Sequence, residues 1–224
     1  MRGISDMDFK GVIFDLDGTL LDTTQAHILA WIEASKSLGI HEVDEAFIRQ
    51  QLGKTSLDIA KEILIHYNKP TNLVERLANL KDTLFIEKYL KESKLIPNVK
   101  KMLYSLKNKG IKIAIVSSNP SSVIREVLKH MDILKYVDVI IGQDDVKEPK
   151  PSPQPILKAI SEMNLRKEEV LVVGDSIYDI IAAKRAGVKV YGVLTGVGSL
   201  TELRNAGAVR VLRNASMLVD YVSL

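Results

Sequence analysis

Two aspartates stand one residue apart, directly after a short apolar run. Asp15 and Asp17 follow Val12–Phe14, and Gly18 and Thr19 come next. Two carboxylates about 4 Å apart repel each other by about 4 kcal/mol at an effective dielectric constant of about 20, so this pair calls for a cation. The alternative interpretation is a polar strand end followed by an Asp-Gly turn.

Polar groups also follow two later apolar runs. Ser117 follows the run I-K-I-A-I-V, Asp175 follows V-L-V-V-G, and Asp179 lies in the first turn of the next predicted helix. Because parallel strands end at one edge of a sheet, these groups can meet Asp15 and Asp17 there. Carboxylates at that edge predict an oxygen site suited to Mg²⁺. Asp179 also suits the N-terminus of its helix by charge alone, and both interpretations can hold together.

Short apolar runs alternate with helical patterns along most of the chain. Each run is apolar throughout, as expected of a strand that is buried on both faces of a parallel sheet. Strands and helices that alternate in this way predict an α/β fold with a Rossmann-like parallel-sheet core. The predicted strands are Val12–Phe14, Ile111–Val116, Val137–Ile141, Val170–Val173, Val188–Leu194 and Val209–Leu212.

The stretch 23–95 has a helical pattern that no strand-like run interrupts. Four of its leucines recur at a four-three-four spacing, which is typical of one helix face. They are Leu73, Leu77, Leu80 and Leu84. The sequence therefore predicts an all-helical cap domain, 23–95, inserted into an α/β core domain formed by 1–22 and 96–224.

The composition excludes several classes of function. The 224 residues are 46% hydrophobic and 26% charged, as in ordinary globular proteins. The net charge is only +3 and the basic residues are scattered, so we expect no nucleic-acid or membrane partner. The absence of Cys excludes disulfides and a Cys nucleophile and disfavours zinc. No apolar run is long enough to span a membrane, and Met1–Asp8 has no apolar leader, so we expect a cytoplasmic location.

Four ordered motifs carry a resemblance to a known superfamily. They are D-L-D-G-T at Asp15–Thr19, I-V-S-S-N ending in Ser117–Asn119, K-P-S-P at Lys150–Pro153 and G-D-S-I-Y-D at Gly174–Asp179. In this order, the motifs resemble those of the haloacid dehalogenase superfamily, in its phosphatase branch with a helical cap inserted after the first strand. The resemblance covers nearly the whole chain.

The resemblance implies a role for each motif residue of the core. Asp15 would be the nucleophile that attacks phosphorus and forms an aspartyl-phosphate. Asp17 would be the general acid for the leaving oxygen and then the base that activates water, so its pKa should be raised. Ser117 would donate to the phosphoryl oxygens, and Lys150 would pair with Asp15 and the phosphate. A solvated loop lysine is the alternative for Lys150.

The resemblance also implies a metal site and a phosphate-binding site. Asp15, Asp17 and Asp175 would hold Mg²⁺, with Asp179 contributing directly or through water. The remaining candidates for binding the substrate or its phosphate are Thr19, His27, Lys54, Ser118 and Asn119.

The cap bears on the choice between a phosphatase and a mutase. Thr23–Trp31 is similar to the start of the cap in β-phosphoglucomutases and sugar phosphatases, where a histidine at the position of His27 couples cap closure to the residue at the position of Asp17. A polar residue on the first cap helix is the alternative for His27. Against a mutase, Leu52–Leu57 contains no arginine. Lys54 offers only a point charge without the fork of a guanidinium.

We therefore expect a Mg²⁺-dependent phosphatase of small phosphorylated metabolites, such as a sugar phosphate or phosphoglycolate. Its state would be a monomer or a homodimer. One alternative is a β-phosphoglucomutase-like isomerase. Another, from a different class, is a non-catalytic regulator that binds Mg²⁺ and a phosphorylated ligand, or a receiver-like domain phosphorylated on Asp15. The acid at Asp17 argues against this class, because a pure binder needs none.

Overall fold

The computed structural model describes residues 9–221. Met1–Asp8, where no leader is predicted, lies outside the described residues. No helix in the described part of the chain is long and apolar enough to cross a membrane.

Strands and helices alternate along the chain, apart from one helical stretch near its start. The strands are β1 (Gly11–Phe14), β2 (Leu21–Asp22), β3 (Lys94–Leu95), β4 (Lys112–Val116), β5 (Val139–Ile141), β6 (Val170–Gly174), β7 (Lys189–Val193) and β8 (Arg210–Leu212). The helices are α1 (Thr24–Ser37), α2 (Glu45–Gln51), α3 (Ser56–His66), α4 (Val74–Leu84), α5 (Val99–Asn108), α6 (Ser121–His130), α7 (Gln154–Glu162), α8 (Ile177–Ala186) and α9 (Leu200–Ala206).

The main sheet has six strands within the described residues, in the order β5-β4-β1-β6-β7-β8, and every pair is parallel. Strand β1 lies inside the sheet and is fully buried, with Ile13 paired to Ala114 on one side and Val172 on the other. Its successive side chains alternate between two apolar layers. Phe14 packs into one layer and Ile13 into the other. The predicted α/β class with a parallel sheet is confirmed.

The helices α1 to α4 follow β1 and form an apolar cluster of their own. Its largest buried members include Trp31, Ile63 and Leu77. The stretch begins and ends beside an antiparallel pair of two-residue strands, β2 and β3. Its last residues, Lys94–Leu95, are therefore a strand and not part of a helix as predicted, because they pair with Leu21–Asp22. The proposed domain boundaries stay a prediction.

Candidate active site

Three buried carboxylates meet at the carboxyl edge of the sheet. Asp15 comes directly after β1, Asp175 directly after β6, and Asp179 lies in the first turn of α8. Each offers one oxygen to a group whose atoms all lie within 4.8 Å of one another. The neighbouring strands bring the first two together, since the Asp15 backbone N–H donates to the Val173 carbonyl at 2.9 Å.

Lys150 is the cation inside this group. Its Nζ lies 2.7 Å from Asp15 Oδ1 and 2.6 Å from Asp179 Oδ1, and it also donates to the Val116 carbonyl at 3.2 Å. Lys150 is only 7% exposed, so it is not a solvated loop lysine. One buried ammonium thus faces three buried carboxylates.

Burial, together with the neighbouring charges, shifts the pKa values of the group. Burial raises the pKa of Asp15 well above its usual range, and the neighbouring carboxylates add to the effect against the opposing charge of Lys150. Burial, and next the charge of Asp179, raise the pKa of Asp175 to about 7. Burial lowers the pKa of Lys150, but Asp15 and Asp179 raise it by more.

This donor set fits Mg²⁺. Its oxygens come from three carboxylates, and among the described residues Lys150 is the one cation that forms ion pairs with them. Hard oxygen donors in this number match a small divalent cation that also keeps places for water and a phosphate. A bound divalent cation would remove the repulsion that raises the pKa values of Asp15 and Asp175.

Local hydrogen bonds fix the two later carboxylates. Asp179 Oδ2 accepts from the backbone N–H of Ser176 at 3.1 Å and from its hydroxyl at 2.6 Å, which caps α8. Asp179 therefore serves the helix N-terminus and the carboxylate group together. Asp175 Oδ2 accepts from the Val197 N–H at 2.8 Å. The Gly196 backbone passes so close that a Cβ there would lie 1.8 Å from the same oxygen, so this position requires glycine.

Thr19 lies behind the site. Its hydroxyl donates to Asp175 Oδ1 at 3.2 Å, and its side chain is fully buried. Thr19 does not line the cavity described below. Thr19 thus positions Asp175, and its predicted contact with phosphate stays a prediction.

The carboxylate of Asp17 is turned away from the other three. It accepts from the Thr23 hydroxyl at 2.6 Å, from His27 Nε2 at 3.1 Å and from Asn119 Nδ2 at 2.5 Å. Asp17 is thus not in the carboxylate group that fits a metal, in contrast to the prediction of a fourth carboxylate ligand. The reason is that Thr23, His27 and Asn119 hold its oxygens outside that group.

The same donors set the protonation of Asp17. Burial raises its pKa, but the charge of His27, hydrogen bonds from His27 and Thr23, and the charge of Lys81 together lower it to about 2. The predicted raised pKa is therefore wrong for the free protein, because donors stabilise the charged form of a carboxylate. In this state Asp17 is ionised.

His27 connects the helical stretch to Asp17. Its ring is 6% exposed and stacks on Phe85, with centroids 4.0 Å apart and planes 9° apart. Burial, and next the charge of Lys81, lower its pKa. A carboxylate only accepts, so His27 Nε2 carries the hydrogen. His27 is therefore a buried contact between α1 and Asp17, and not simply a polar residue on a helix.

The predicted phosphate-binding serines make different contacts. Ser117 Oγ accepts from the Asn119 backbone N–H at 3.2 Å and lines the cavity. Ser118 Oγ donates to the Gly53 carbonyl at 3.0 Å, which joins the core to the loop after α2. Lys54, next to Gly53, donates to Gln51 Oε1 at 2.8 Å and to Glu62 Oε1 at 3.1 Å.

A cavity of about 70 Å³ lies between the sheet edge and the helical stretch. The predicted residues that line it are Asp15, Asp17, His27, Lys54, Ser117, Ser118, Asn119, Lys150 and Asp175. Five further lining residues from the helices were not predicted as site residues: Thr24, Trp31, Ser56, Ile59 and Lys81.

Lys81 was missed because the predicted face of α4 is rotated from the observed one. The most buried positions of this helix are Leu77, Ala78, Lys81 and Asp82, whereas Leu80 and Leu84 are only partly buried. Lys81 follows Leu77 by four residues, and this spacing was the available signal.

The fold and the carboxylate group find their counterpart in known proteins. A family model described as haloacid dehalogenase-like hydrolase matches residues 12–193, most of the chain. The chain belongs to this family. It is therefore a hydrolase of the haloacid dehalogenase type, as the four motifs indicated.

Relatives of this hydrolase include phosphatases. The chain is 33% identical over 213 residues to the phosphorylated carbohydrates phosphatase of Thermotoga maritima, which covers 93% of this chain and 96% of that protein. It is 31% identical over 218 residues to the phosphoglycolate phosphatase of Vibrio cholerae, with 95% and 96% covered. The crystal structure of a hydrolase from Pseudomonas syringae superposes with a TM-score of 0.84 at 27% identity, covering 95% of this chain and 97% of the other.

Proposed function

We propose that this hydrolase is a Mg²⁺-dependent phosphatase of small phosphorylated metabolites that works through an aspartyl-phosphate on Asp15. The observation that carries the proposal is the pairing of two aspartates with different surroundings in one cavity. Asp15 lies against Lys150 in the carboxylate group, and Asp17 lies among hydrogen-bond donors next to it.

In the first step, a carboxylate oxygen of Asp15 attacks phosphorus, and the bond to the leaving oxygen breaks. The leaving oxygen takes a proton from Asp17. A phosphate dianion beside Asp17 raises the pKa of this carboxylate, so Asp17 becomes protonated when the substrate binds. In the free protein the pKa is about 2, the value of a base.

In the second step, Asp17 takes a proton from a water molecule that attacks the phosphoryl group on Asp15. Phosphate leaves and the Asp15 carboxylate is restored. Asp17 is ionised in the free protein, which is the form that can accept this proton. A single residue thereby serves as acid and base in turn.

The charge of the phosphoryl group has to be neutralised throughout. Lys150 is buried and already touches Asp15, so it can contact a phosphoryl oxygen without moving far. Mg²⁺, held by Asp15, Asp175 and Asp179, would supply further positive charge to the phosphoryl oxygens. Ser117 lines the same wall and offers its hydroxyl.

The proposed substrates are small phosphoesters of the phosphoglycolate or sugar phosphate type. The names of the two phosphatase relatives support this class. The mutase alternative has weaker support, because Leu52–Leu57 holds no arginine for a second phosphate and Lys54 is already paired with Glu62. A regulator that only binds has no use for the donors gathered around Asp17.

The test is phosphate release by the purified protein from phosphoglycolate, β-glucose 1-phosphate and pyrophosphate, with Mg²⁺ and with EDTA. Formation of glucose 6-phosphate is followed in parallel. We expect metal-dependent phosphate release that is concentrated on one or two compounds. Glucose 6-phosphate with little free phosphate would indicate the mutase instead, and no reaction with any compound would indicate a binding protein.

A further inference from the structure

Helix α4 carries a buried lysine on the wall of the cavity. Lys81 is 2% exposed, and it lines the cavity together with Trp31, Ser56 and Ile59. Its Nζ lies 5.4 Å from the ring centroids of both Trp31 and Phe85, which enclose the end of the side chain. Lysine is almost never buried to this degree unless it is paired.

The partner of Lys81 is the next residue on the helix, and the two side chains are placed differently relative to the cavity. Lys81 Nζ lies 2.9 Å from Asp82 Oδ1, which also accepts from the Ser56 hydroxyl at 3.2 Å. Lys81 lines the cavity and Asp82 does not. The positive end of the pair therefore faces the cavity, and the negative end is held behind it.

The Lys81 ammonium has more N–H donors than protein acceptors among the described residues. It carries three N–H groups, and among the described residues its one protein acceptor is Asp82. The charge of Lys81 also lowers the pKa of both His27 and Asp17. Lys81 is thus close to the reacting groups, buried, and equipped to donate to a ligand.

We infer that Lys81 is a specificity residue that binds an anionic group on the leaving half of the substrate, a carboxylate or a second phosphate. The inference rests on the proposed function, in which Asp15 and Lys150 hold the phosphoryl group at the sheet edge. The leaving group then faces the helical wall, where Lys81 stands. Lys54 on the same wall is partly exposed and already donates to Gln51 and Glu62.

The apolar surroundings of Lys81 also favour binding of an anion. Trp31 and Ile59 form an apolar wall around the Lys81 ammonium, which strengthens its attraction for an anion.

The test compares two esters that differ in one group. Phosphoglycolate carries a carboxylate where 2-hydroxyethyl phosphate carries a neutral CH₂OH. In Lys81→Met, we expect kcat/KM for phosphoglycolate to fall by about 10- to 100-fold, mainly through KM, and that for 2-hydroxyethyl phosphate to change by less than about 3-fold. Pyrophosphate is the third substrate, and a selective loss on pyrophosphate would identify a second phosphate as the anion.

Two further variants keep the test decisive. Lys88→Met removes an exposed lysine that pairs with Glu33 outside the cavity, and it should leave all three substrates unchanged. Lys81→Met combined with Asp82→Asn leaves no unpaired buried charge, and it gives the same comparison if the single variant does not fold.

An equal loss on the charged and the neutral ester, or no loss on either, would overturn the inference alone. Wild-type protein that releases phosphate from none of these compounds would overturn the proposed function, and the inference with it.

Discussion

The two walls of the cavity differ in the charge that they present to it. The sheet edge gathers Asp15, Asp175 and Asp179 around a single lysine, Lys150. The helical wall presents Lys81 and keeps the matching carboxylate of Asp82 behind it. The sheet edge is thus short of positive charge until a metal binds, whereas the helical wall is balanced within itself and turns its positive end inward.

The difference suggests a division of labour. The wall that lacks positive charge is suited to a cation and a phosphoryl group, which are the constant parts of the reaction. The helical wall is balanced by its own Lys81–Asp82 pair, and we propose that it meets the variable half of the substrate. Asp17 lies between the two, because it follows β1 in sequence and takes its hydrogen bonds from Thr23 and His27 near and on α1.

The largest expected effect comes from the sheet edge. Asp15→Asn should abolish measurable phosphate release, because an amide oxygen is a poor nucleophile. The fold should persist, since the change removes one of three crowded charges and keeps a similar shape. Phosphate release and the melting temperature of the metal-free protein are the measurements. Retained turnover would remove Asp15 from the role of nucleophile.

Asp17→Asn tests the residue between the walls. We expect kcat to fall by about 10²- to 10⁴-fold, the usual loss when a general acid or base is removed. The rise in melting temperature caused by Mg²⁺ should stay as in the wild type, because the Asp17 carboxylate lies outside the group that fits the metal. Loss of that rise would instead make the Asp17 side chain a metal ligand.

The charge imbalance at the sheet edge should make the metal-free protein sensitive to pH. The pKa of Asp175 is about 7 in the folded protein, whereas the ordinary pKa of an exposed aspartate is 3.8. Between these values the folded state keeps a proton that the unfolded chain has lost, so stability falls as pH rises. We expect the melting temperature in EDTA to drop by about 5 °C from about pH 5 to about pH 7.5.

Two controls accompany this measurement. Asp175→Asn should remove much of the slope, because it removes the titrating group. Saturating Mg²⁺ should raise the melting temperature more at the upper end of this pH range than at the lower end, because the metal competes with the proton. A flat profile in EDTA would mean that burial and the neighbouring carboxylates do not raise the pKa of Asp175 in the folded protein.

The smallest effect concerns the contact between the walls. Ser118→Ala removes the hydrogen bond from the core to the Gly53 carbonyl. We expect KM to rise by about 2- to 10-fold, which corresponds to one ordinary hydrogen bond. Ser121→Ala is the matched control, since Ser121 Oγ bonds to Asp144 away from the helical stretch. Steady-state kinetics of both variants would show whether the bond favours the closed cavity.

The groups at the sheet edge were predictable because one rule places them. Parallel strands end on one side, so Asp15, Ser117 and Asp175 had to come together once their runs were recognised as strands. Thr19 escaped the rule, because the direction of its hydroxyl depends on where Asp175 lies, 156 residues further along the chain.

The helical wall follows no such rule. The side chains that it buries depend on the rotation of each helix against its neighbours, and a shift of one residue turns the buried face by about 100°. The stripe from Leu73 to Leu84 gave the helix correctly and its buried face only in part, so Lys81 passed unnoticed. The prediction of a raised pKa for Asp17 was wrong for a related reason, since Lys81 and His27, which lower this pKa, both come from these helices.

The paired strands β2 and β3 hold the two ends of the helical stretch side by side. Leu21 stands opposite Leu95, and Asp22 opposite Lys94, so the chain leaves and returns within about 5 Å. The helical stretch is therefore joined to the core through one narrow two-stranded stem. Strand β1, before the stretch, and β4, after it, pair directly in the main sheet, so the long insertion leaves the continuity of that sheet intact.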